Sequence, residues 1–208
     1  MAQTEVKQAL GTGVVIEAVQ SLTGAESIAP DHMGRSRESA VGYIPQSVAV
    51  DAALLRDVQV LLAQQAAMLD ARRWNQWMDL FTEDGVYWMP ATPEQTDWTS
   101  QPSIFAEDKL LMEVRATRLL HPNAWSQAAH WATQHLLGTT LVEQSQADSV
   151  WTWTPFQMME VRRDRVRHFG GSYRHHLVRQ AGGWKIQLQR VDMFNAQASY
   201  DYVIQAWV

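Results

Sequence analysis

The chain has 208 residues, of which 46% are apolar and 19% are charged, and its formal net charge is −5. This composition is typical of one globular domain with a short extension, and the negative charge disfavours nucleic acid as a partner. Because the chain contains no cysteine, disulfides, zinc ribbons, thiol nucleophiles and Cys-ligated iron–sulfur clusters are excluded from it. The sequence shows no signal peptide and no apolar run of about 20 residues, so we expect a cytoplasmic protein without membrane contact.

The first helices are predicted from apolar spacing. Residues 1–48 are rich in small, polar and turn-forming residues and are predicted to be a partly irregular extension. The domain itself is predicted to span residues 49–208 and to begin with an amphipathic helix that Asp51 could cap. A second, short helix is predicted over residues 71–81, and residues 82–85 then read as a helix stop and tight turn.

The middle of the chain combines one strand, one loop and one helix. Val86–Met89 favours a strand that ends at Pro90, because proline cannot donate a hydrogen bond to a neighbouring strand. Residues 91–102 are predicted to be a polar loop, and a third helix is predicted over about residues 105–120. From about residue 127 onward, apolar and polar residues alternate, which indicates antiparallel strands with one covered face.

The last strands carry two glycine signals. Ala181–Gly183 is predicted to be a hairpin turn. Gly170 and Gly171 lie inside a long strand over residues 168–178 and predict a bulge or bend, which a strongly curved sheet needs. Helices followed by strands indicate an α+β layout. We therefore predict a cone in which three helices pack on a strongly curved antiparallel sheet.

Several segments carry a pattern that resembles a known family. They are Leu69–Trp77, Leu80–Pro90, Arg115–Leu119 with Ala124–Ser126, His130, Phe169–Tyr173 and Gly182–Ile186. The pattern resembles the β (small) subunits of Rieske-type aromatic-ring-hydroxylating dioxygenases, within the NTF2-like (cystatin-like) superfamily. The chain departs from that pattern at Ala128-Ala129, where the family has Thr-Arg, and at Gln134, where an asparagine is common.

The resemblance implies a structural role in a multicomponent dioxygenase that incorporates O2 into an aromatic compound. Such a subunit is itself non-catalytic, and we expect no catalytic, cofactor-binding or metal-binding residue in this chain. A large α subunit would carry the Rieske 2Fe-2S cluster and the mononuclear iron. The implied assembly is an α3β3 hexamer in which the small subunit also associates as a trimer.

Five residues are candidates for subunit interfaces: Trp88, Arg115, Arg118, Trp125 and Tyr173. The two arginines lie three residues apart on a predicted helix, so they share a side of it and suit bidentate ionic contacts with a neighbouring subunit. A solvated helix face is the alternative interpretation. The ten tryptophans of the chain are consistent with oligomerisation or with a tryptophan-rich core.

Two other classes of function stay open at this point. A stand-alone isomerase, dehydratase or hydrolase of the same fold would need a carboxylate or imidazole inside the cone, with a pKa tuned by burial. The candidates are Asp84, Tyr87, His130, Tyr173 and His175. The other class is a non-catalytic module that binds a small ligand.

Two histidine pairs lie in the region of predicted strands. His130 and His135 have the H-x4-H spacing of an iron site, but residues five apart on a strand face opposite sides and no aspartate precedes the pair. We therefore expect no metal there. His175 and His176 are adjacent on a strand, so one should point into the cone and the other outward.

Overall fold

The computed structural model describes residues 43–124, 131–198, 204 and 207–208. In this part of the chain, three helices and seven strands form an α+β domain, as predicted. They are α1 (Ala52–Asp70), α2 (Trp74–Met78), β1 (Phe81–Pro90), β2 (Ser103–Asp108), α3 (Lys109–Leu120), β3 (Trp131–Leu137), β4 (Leu141–Ser145), β5 (Ser149–Arg162), β6 (Arg165–Gln180) and β7 (Gly183–Met193). Neither α1, α2 nor α3 has the length and hydropathy that a membrane span requires.

The strands form one curved, open sheet in the order β2–β1–β7–β6–β5–β3, with β4 also paired to β5. Neighbouring described strands run antiparallel, with one difference from the prediction: β1 and β7 are parallel. On one side β1 lies next to β7, the last of the described strands. The two are far apart in the chain and are not joined by a hairpin, so they can run parallel. This pair joins the helical half of the chain to the strand half.

The predicted turn at residues 82–85 is wrong, since these residues are part of β1. The backbone N–H of Ile186 already donates to the carbonyl of Leu80 at 2.8 Å, so pairing with β7 begins where a turn was expected. The register between β1 and β7 then shifts between Phe81 and Val86. The turn-forming residues are therefore accommodated as an irregularity inside a strand.

The third helix begins at Lys109, later than predicted, because Asp108 caps it. The carboxylate of Asp108 accepts a hydrogen bond from the backbone N–H of Leu111 at 2.9 Å. Phe105, which was predicted to be helical, pairs with Met89 on β1. At α1 the expected cap residue is in place, but the side chain of Asp51 makes no capping hydrogen bond.

Of the bulge or bend predicted at the glycine pair, the bulge is absent. The β5–β6 register runs without interruption through Gly170 and Gly171, and the irregularity of the β6–β7 pair lies at His176 and Leu177, where β7 has one extra residue. Gly171 is needed for a different reason. A Cβ atom at this position would lie 2.0 Å from the carbonyl oxygen of Asp192, so no larger side chain fits without moving the β7 backbone.

Gly171→Ala is expected to lower the free energy of unfolding by about 2–3 kcal/mol, because the clash is with backbone and cannot be relieved by a rotamer change. Gly170→Ala is the matched control, since a Cβ there meets its nearest atom at 3.6 Å. Urea unfolding of the two full-length variants would measure the difference. Equal losses in both variants would contradict the close-approach explanation.

Each face of the sheet carries an apolar cluster. The inner face packs against α1 and α2, through side chains such as Leu62 and Trp77, and holds the main core. The outer face carries a smaller cluster of Val86, Trp88, Trp151 and Leu188, against which Trp98 of the 91–102 loop packs. On β5, Gln157 and Met159 of the outer face stay exposed between buried inward-facing residues, so the half-covered sheet that the alternation predicted is present there.

Part of the predicted extension also packs on the outer face. The Tyr43 ring lies beneath the guanidinium of Arg174 at 4.5 Å, and its hydroxyl donates to Glu143. Arg174 and Glu143 form a buried ion pair at 2.9 Å. Contacts therefore cross the predicted boundary at residues 48 and 49, which stays a prediction, and residues 1–42 lie outside the described part.

Candidate functional site

The inner face of the sheet carries a row of polar side chains, one from each of five adjacent strands. In strand order the row is Thr152, His175, Gln189, Tyr87 and Glu107, and each residue lies directly opposite the next. Directly opposed residues on paired strands face the same side of a sheet, so all five point toward the helices. We call these five residues the polar row. The first four are 0% exposed.

His175 is the centre of the polar row. Its Nε2 lies 3.0 Å from Oε1 of Gln65 on α1. Burial lowers the pKa of His175 to about 3, so the imidazole is neutral at physiological pH. His176 faces the opposite side, where its ring stacks on Trp151 at 4.1 Å between centroids. The prediction that the two histidines point to opposite faces is therefore confirmed.

One end of the polar row is closed by an ion pair and an indole. Nη1 of Arg115 lies 3.2 Å from Oε1 of Glu107, and the guanidinium stacks 3.9 Å from the Phe105 ring centroid. Trp207 Nε1 donates to Oε2 of Glu107 at 2.8 Å. The charge of Glu107 is thus balanced by Arg115, and its other oxygen accepts a hydrogen bond. This is the arrangement of a structural carboxylate rather than of a free general base.

Trp207 and Val208 lie deep in the interior, and both are 0% exposed. The Trp207 ring packs against Trp74 at 5.1 Å and Trp77 at 4.8 Å between centroids. The Tyr87 hydroxyl donates to the Val208 carbonyl at 3.3 Å and accepts from the Val208 N–H at 3.2 Å. Burial raises the pKa of Tyr87, which stays protonated. These two residues therefore occupy part of the space that the sheet and helices enclose.

A second polar contact, between Asp70 and His135, ties the end of α1 to β3. Oδ1 of Asp70 lies 2.7 Å from Nδ1 of His135, and Asp70 also accepts from the His135 backbone N–H and the Thr133 hydroxyl, each at 3.0 Å. Partial burial by itself raises the pKa of Asp70, but the hydrogen bonds outweigh it and hold that pKa below its usual value.

This contact was not anticipated, although Asp70 lies in one of the segments that carry the resemblance. His135 thus pairs with a single carboxylate, and His130 lies outside the described residues. In the part of the chain that is described, no three His, Asp or Glu side chains are grouped as metal ligands would be.

The five interface candidates differ in how exposed their side chains are. The structure does not support direct contacts by Trp88 and Tyr173, because their side chains are 0% and 2% exposed inside their own subunit. Arg115 is engaged with Glu107, whereas Arg118 is exposed on α3. Trp125 lies outside the described residues.

The candidate residues for a stand-alone enzyme do not all converge. Tyr87, Tyr173 and His175 share the inner face, with the Tyr173 and His175 rings 5.7 Å apart. Asp84, however, is exposed and accepts from the side-chain amide of Gln187 at 3.1 Å. Asp84, the carboxylate among these candidates, is therefore not beside His175.

The helix α3 presents an unusual apolar surface. Leu110, Leu111, Val114 and Leu120 are 66%, 47%, 49% and 67% exposed. Next to them, a groove of about 760 Å³ runs between α3 and β2, and its lining includes Arg115 and Arg118. Leu111 and Val114 line this groove, and an exposed apolar groove of this kind is typical of a contact with another polypeptide.

A curved sheet with helices on its inner face defines a cone-shaped α+β domain of the NTF2-like class. Solved structures with this fold include the β subunit of benzoate 1,2-dioxygenase from Burkholderia mallei, with a TM-score of 0.59 at 22% identity over 76% of this chain and 99% of that one. A naphthalene 1,2-dioxygenase structure matches with a TM-score of 0.66 at 15% identity, over 77% of this chain and 88% of that one.

The family model described as "Ring hydroxylating beta subunit" matches residues 64–198. The small oxygenase component of the p-cumate 2,3-dioxygenase system from Pseudomonas putida is 27% identical over 136 residues, which is 64% of this chain and 76% of that protein. The chain therefore belongs to the family of ring-hydroxylating dioxygenase β subunits. It is a non-catalytic part of an oxidoreductase holoenzyme, and neither the stand-alone enzyme nor the ligand-binding module is supported.

Proposed function

We propose that this chain supports a large catalytic subunit in a cytoplasmic α3β3 hexamer, in which it also contacts further copies of itself. The observation that carries the proposal is the surface of α3. Its exposed apolar side chains and the neighbouring groove provide an area that burial against another subunit would stabilise. Arg118, at the C-terminal end of the same helix, supplies a charge suited to a bidentate contact.

The redox centres of the holoenzyme belong to the partner in this proposal. A Rieske cluster requires two cysteine ligands, and this chain has no cysteine. The large α subunit would hold the Rieske 2Fe-2S cluster and the mononuclear iron that reacts with O2. The relatives are named for p-cumate and benzoate, both aromatic carboxylates, so we propose an aromatic substrate whose binding site lies in the large subunit.

Arg118→Glu is expected to shift most of the co-expressed complex from the hexamer to smaller species on a sizing column, because it reverses a charge in the contact surface. Arg56→Glu is the matched control, since Arg56 is also exposed on a helix, α1, and undergoes the same charge change. A hexamer that survives Arg118→Glu as well as it survives Arg56→Glu would rule out this surface as the contact.

A further inference from the structure

Five buried polar atoms at the centre of the inner face have no hydrogen-bond partner among the described residues. They are Thr152 Oγ1, Tyr173 OH, His175 Nδ1, Gln189 Oε1 and Gln189 Nε2. Their side chains are at most 2% exposed. Nearly all buried polar groups in proteins are paired, and an unpaired group loses the hydrogen bonds that it would make in water.

These atoms belong to neighbouring side chains. Thr152 lies opposite His175, and His175 lies opposite Gln189, so the three project side by side from β5, β6 and β7. Tyr173 lies two residues before His175 on the same face of β6 and contacts its ring. These five atoms therefore lie in one region of the core.

The hydrogen-bonding roles of these atoms restrict what they could bind. Because Nε2 of His175 faces the Gln65 side-chain oxygen at 3.0 Å, Nε2 carries the proton and Nδ1 is left as an acceptor. Gln189 offers an amide donor and an amide acceptor, and the hydroxyls of Thr152 and Tyr173 can do both. A ligand must therefore donate a hydrogen bond to His175 and accept one from its neighbours.

A hydroxyl group meets both requirements, whereas a fully deprotonated anion cannot donate to His175 and an ammonium cation cannot accept from the amide or hydroxyl donors. We propose that His175 and Gln189, flanked by Thr152 and Tyr173, form a buried binding site for a neutral hydroxyl-bearing molecule inside the cone. Ordered water and a phenol-like small molecule share this chemistry. The stacked rings of Phe156 and Tyr173, with centroids 4.1 Å apart, form an aromatic side to the region. The site lies within this chain and does not depend on the dioxygenase partner.

The test is a nitrogen NMR measurement on the full-length chain, with His175→Phe used to assign the ring signals of His175. A free imidazole acceptor resonates far downfield, and a hydrogen bond from a hydroxyl moves it upfield. We expect the upfield position in the wild type and a shift toward the free position in Gln189→Met, which removes two of the converging polar atoms at similar volume. The matched control is Gln187→Met, two residues away, whose amide instead contacts Asp84.

A His175 Nδ1 signal at the free position in the wild type would overturn the site. So would a Tm of Gln189→Met that equals or exceeds the wild-type value, because removing truly unpaired groups is neutral or stabilising. The proposal expects that Tm to fall by about 2–4 °C. Added phenol then distinguishes between a phenol-like molecule and ordered water as the natural occupant. A further shift of the nitrogen signal and a higher Tm identify a phenolic ligand, whereas no response to phenol identifies water.

Discussion

Trp207→Ala should lower the free energy of unfolding by about 3–5 kcal/mol, the range for truncation of a large buried aromatic side chain. The indole is 0% exposed and packs against Trp74 and Trp77, so its removal leaves a cavity between aromatic rings. The truncation also deprives Glu107 of the hydrogen bond from Trp207 Nε1. Urea unfolding of the full-length chain measures the loss.

Trp98→Ala is the control for this prediction, because Trp98 is half-buried at the outer face. Trp98→Ala should lower the free energy of unfolding clearly less than Trp207→Ala does. Indole added to the Trp207→Ala variant should raise its Tm, since a dry apolar cavity binds a planar ring of matching shape. The packing role of Trp207 is wrong if the two variants lose equal stability and indole has no effect.

Arg190→Met should lower the free energy of unfolding by about 3–5 kcal/mol, because it breaks a buried ion pair. The guanidinium of Arg190 is 0% exposed and donates two hydrogen bonds of 2.8 Å to the carboxylate of Asp192. It also donates to the carbonyls of Gln95 at 2.6 Å and Pro93 at 3.2 Å, and so anchors the 91–102 loop on the sheet.

Two measurements check the Arg190 prediction. Urea unfolding should show the loss, and Arg190→Met combined with Asp192→Asn should recover part of it, since the negative charge that Arg190 balanced is then removed as well. Chymotrypsin should cleave at Trp98 faster in Arg190→Met than in the wild type, because the loop has lost its anchor. A loss below about 1 kcal/mol with unchanged cleavage would show that the network is not structurally important.

The packing explains why this cone suits a structural subunit. A ligand site in an enzyme is usually a roomy cleft of several hundred Å³. Here Trp207 and Val208 occupy interior space and bond to Tyr87 and Glu107, two members of the polar row. The proposed hydroxyl site could therefore hold only a small molecule. A larger groove and exposed apolar side chains lie instead at α3, where another subunit can reach them.

Local patterns in the sequence were enough to predict the three helices and β1 in their order along the chain, but not β2. Helical spacing identified α1, and the β-forming segment Val86–Met89 lies in a strand as expected. Boundaries were less predictable when a tertiary contact competed with local propensity. Phe105 was assigned to a helix, but pairing with Met89 extends it as a strand up to the cap at Asp108.

The polar row illustrates a feature that local patterns could not provide. Simple alternation along β7 would place Gln187 and Gln189 on the same face. In the structure, His176 pairs with Leu188 and Leu177 pairs with Ile186, so Gln187 is an extra residue and the alternation reverses after it. Gln189 therefore turns inward beside His175, because a one-residue irregularity exchanges the two faces of a strand.

By itself the sequence determined the α+β class, the absence of thiolate ligands and the resemblance to dioxygenase β subunits, because these depend on composition, local periodicity and short motifs. Only the tertiary structure decided which side chains meet. The parallel pairing of β1 with β7, the burial of Trp207 and the contact between Asp70 and His135 join residues far apart in the chain. Such contacts follow from the packing of the whole sheet against the helices, which no local segment specifies.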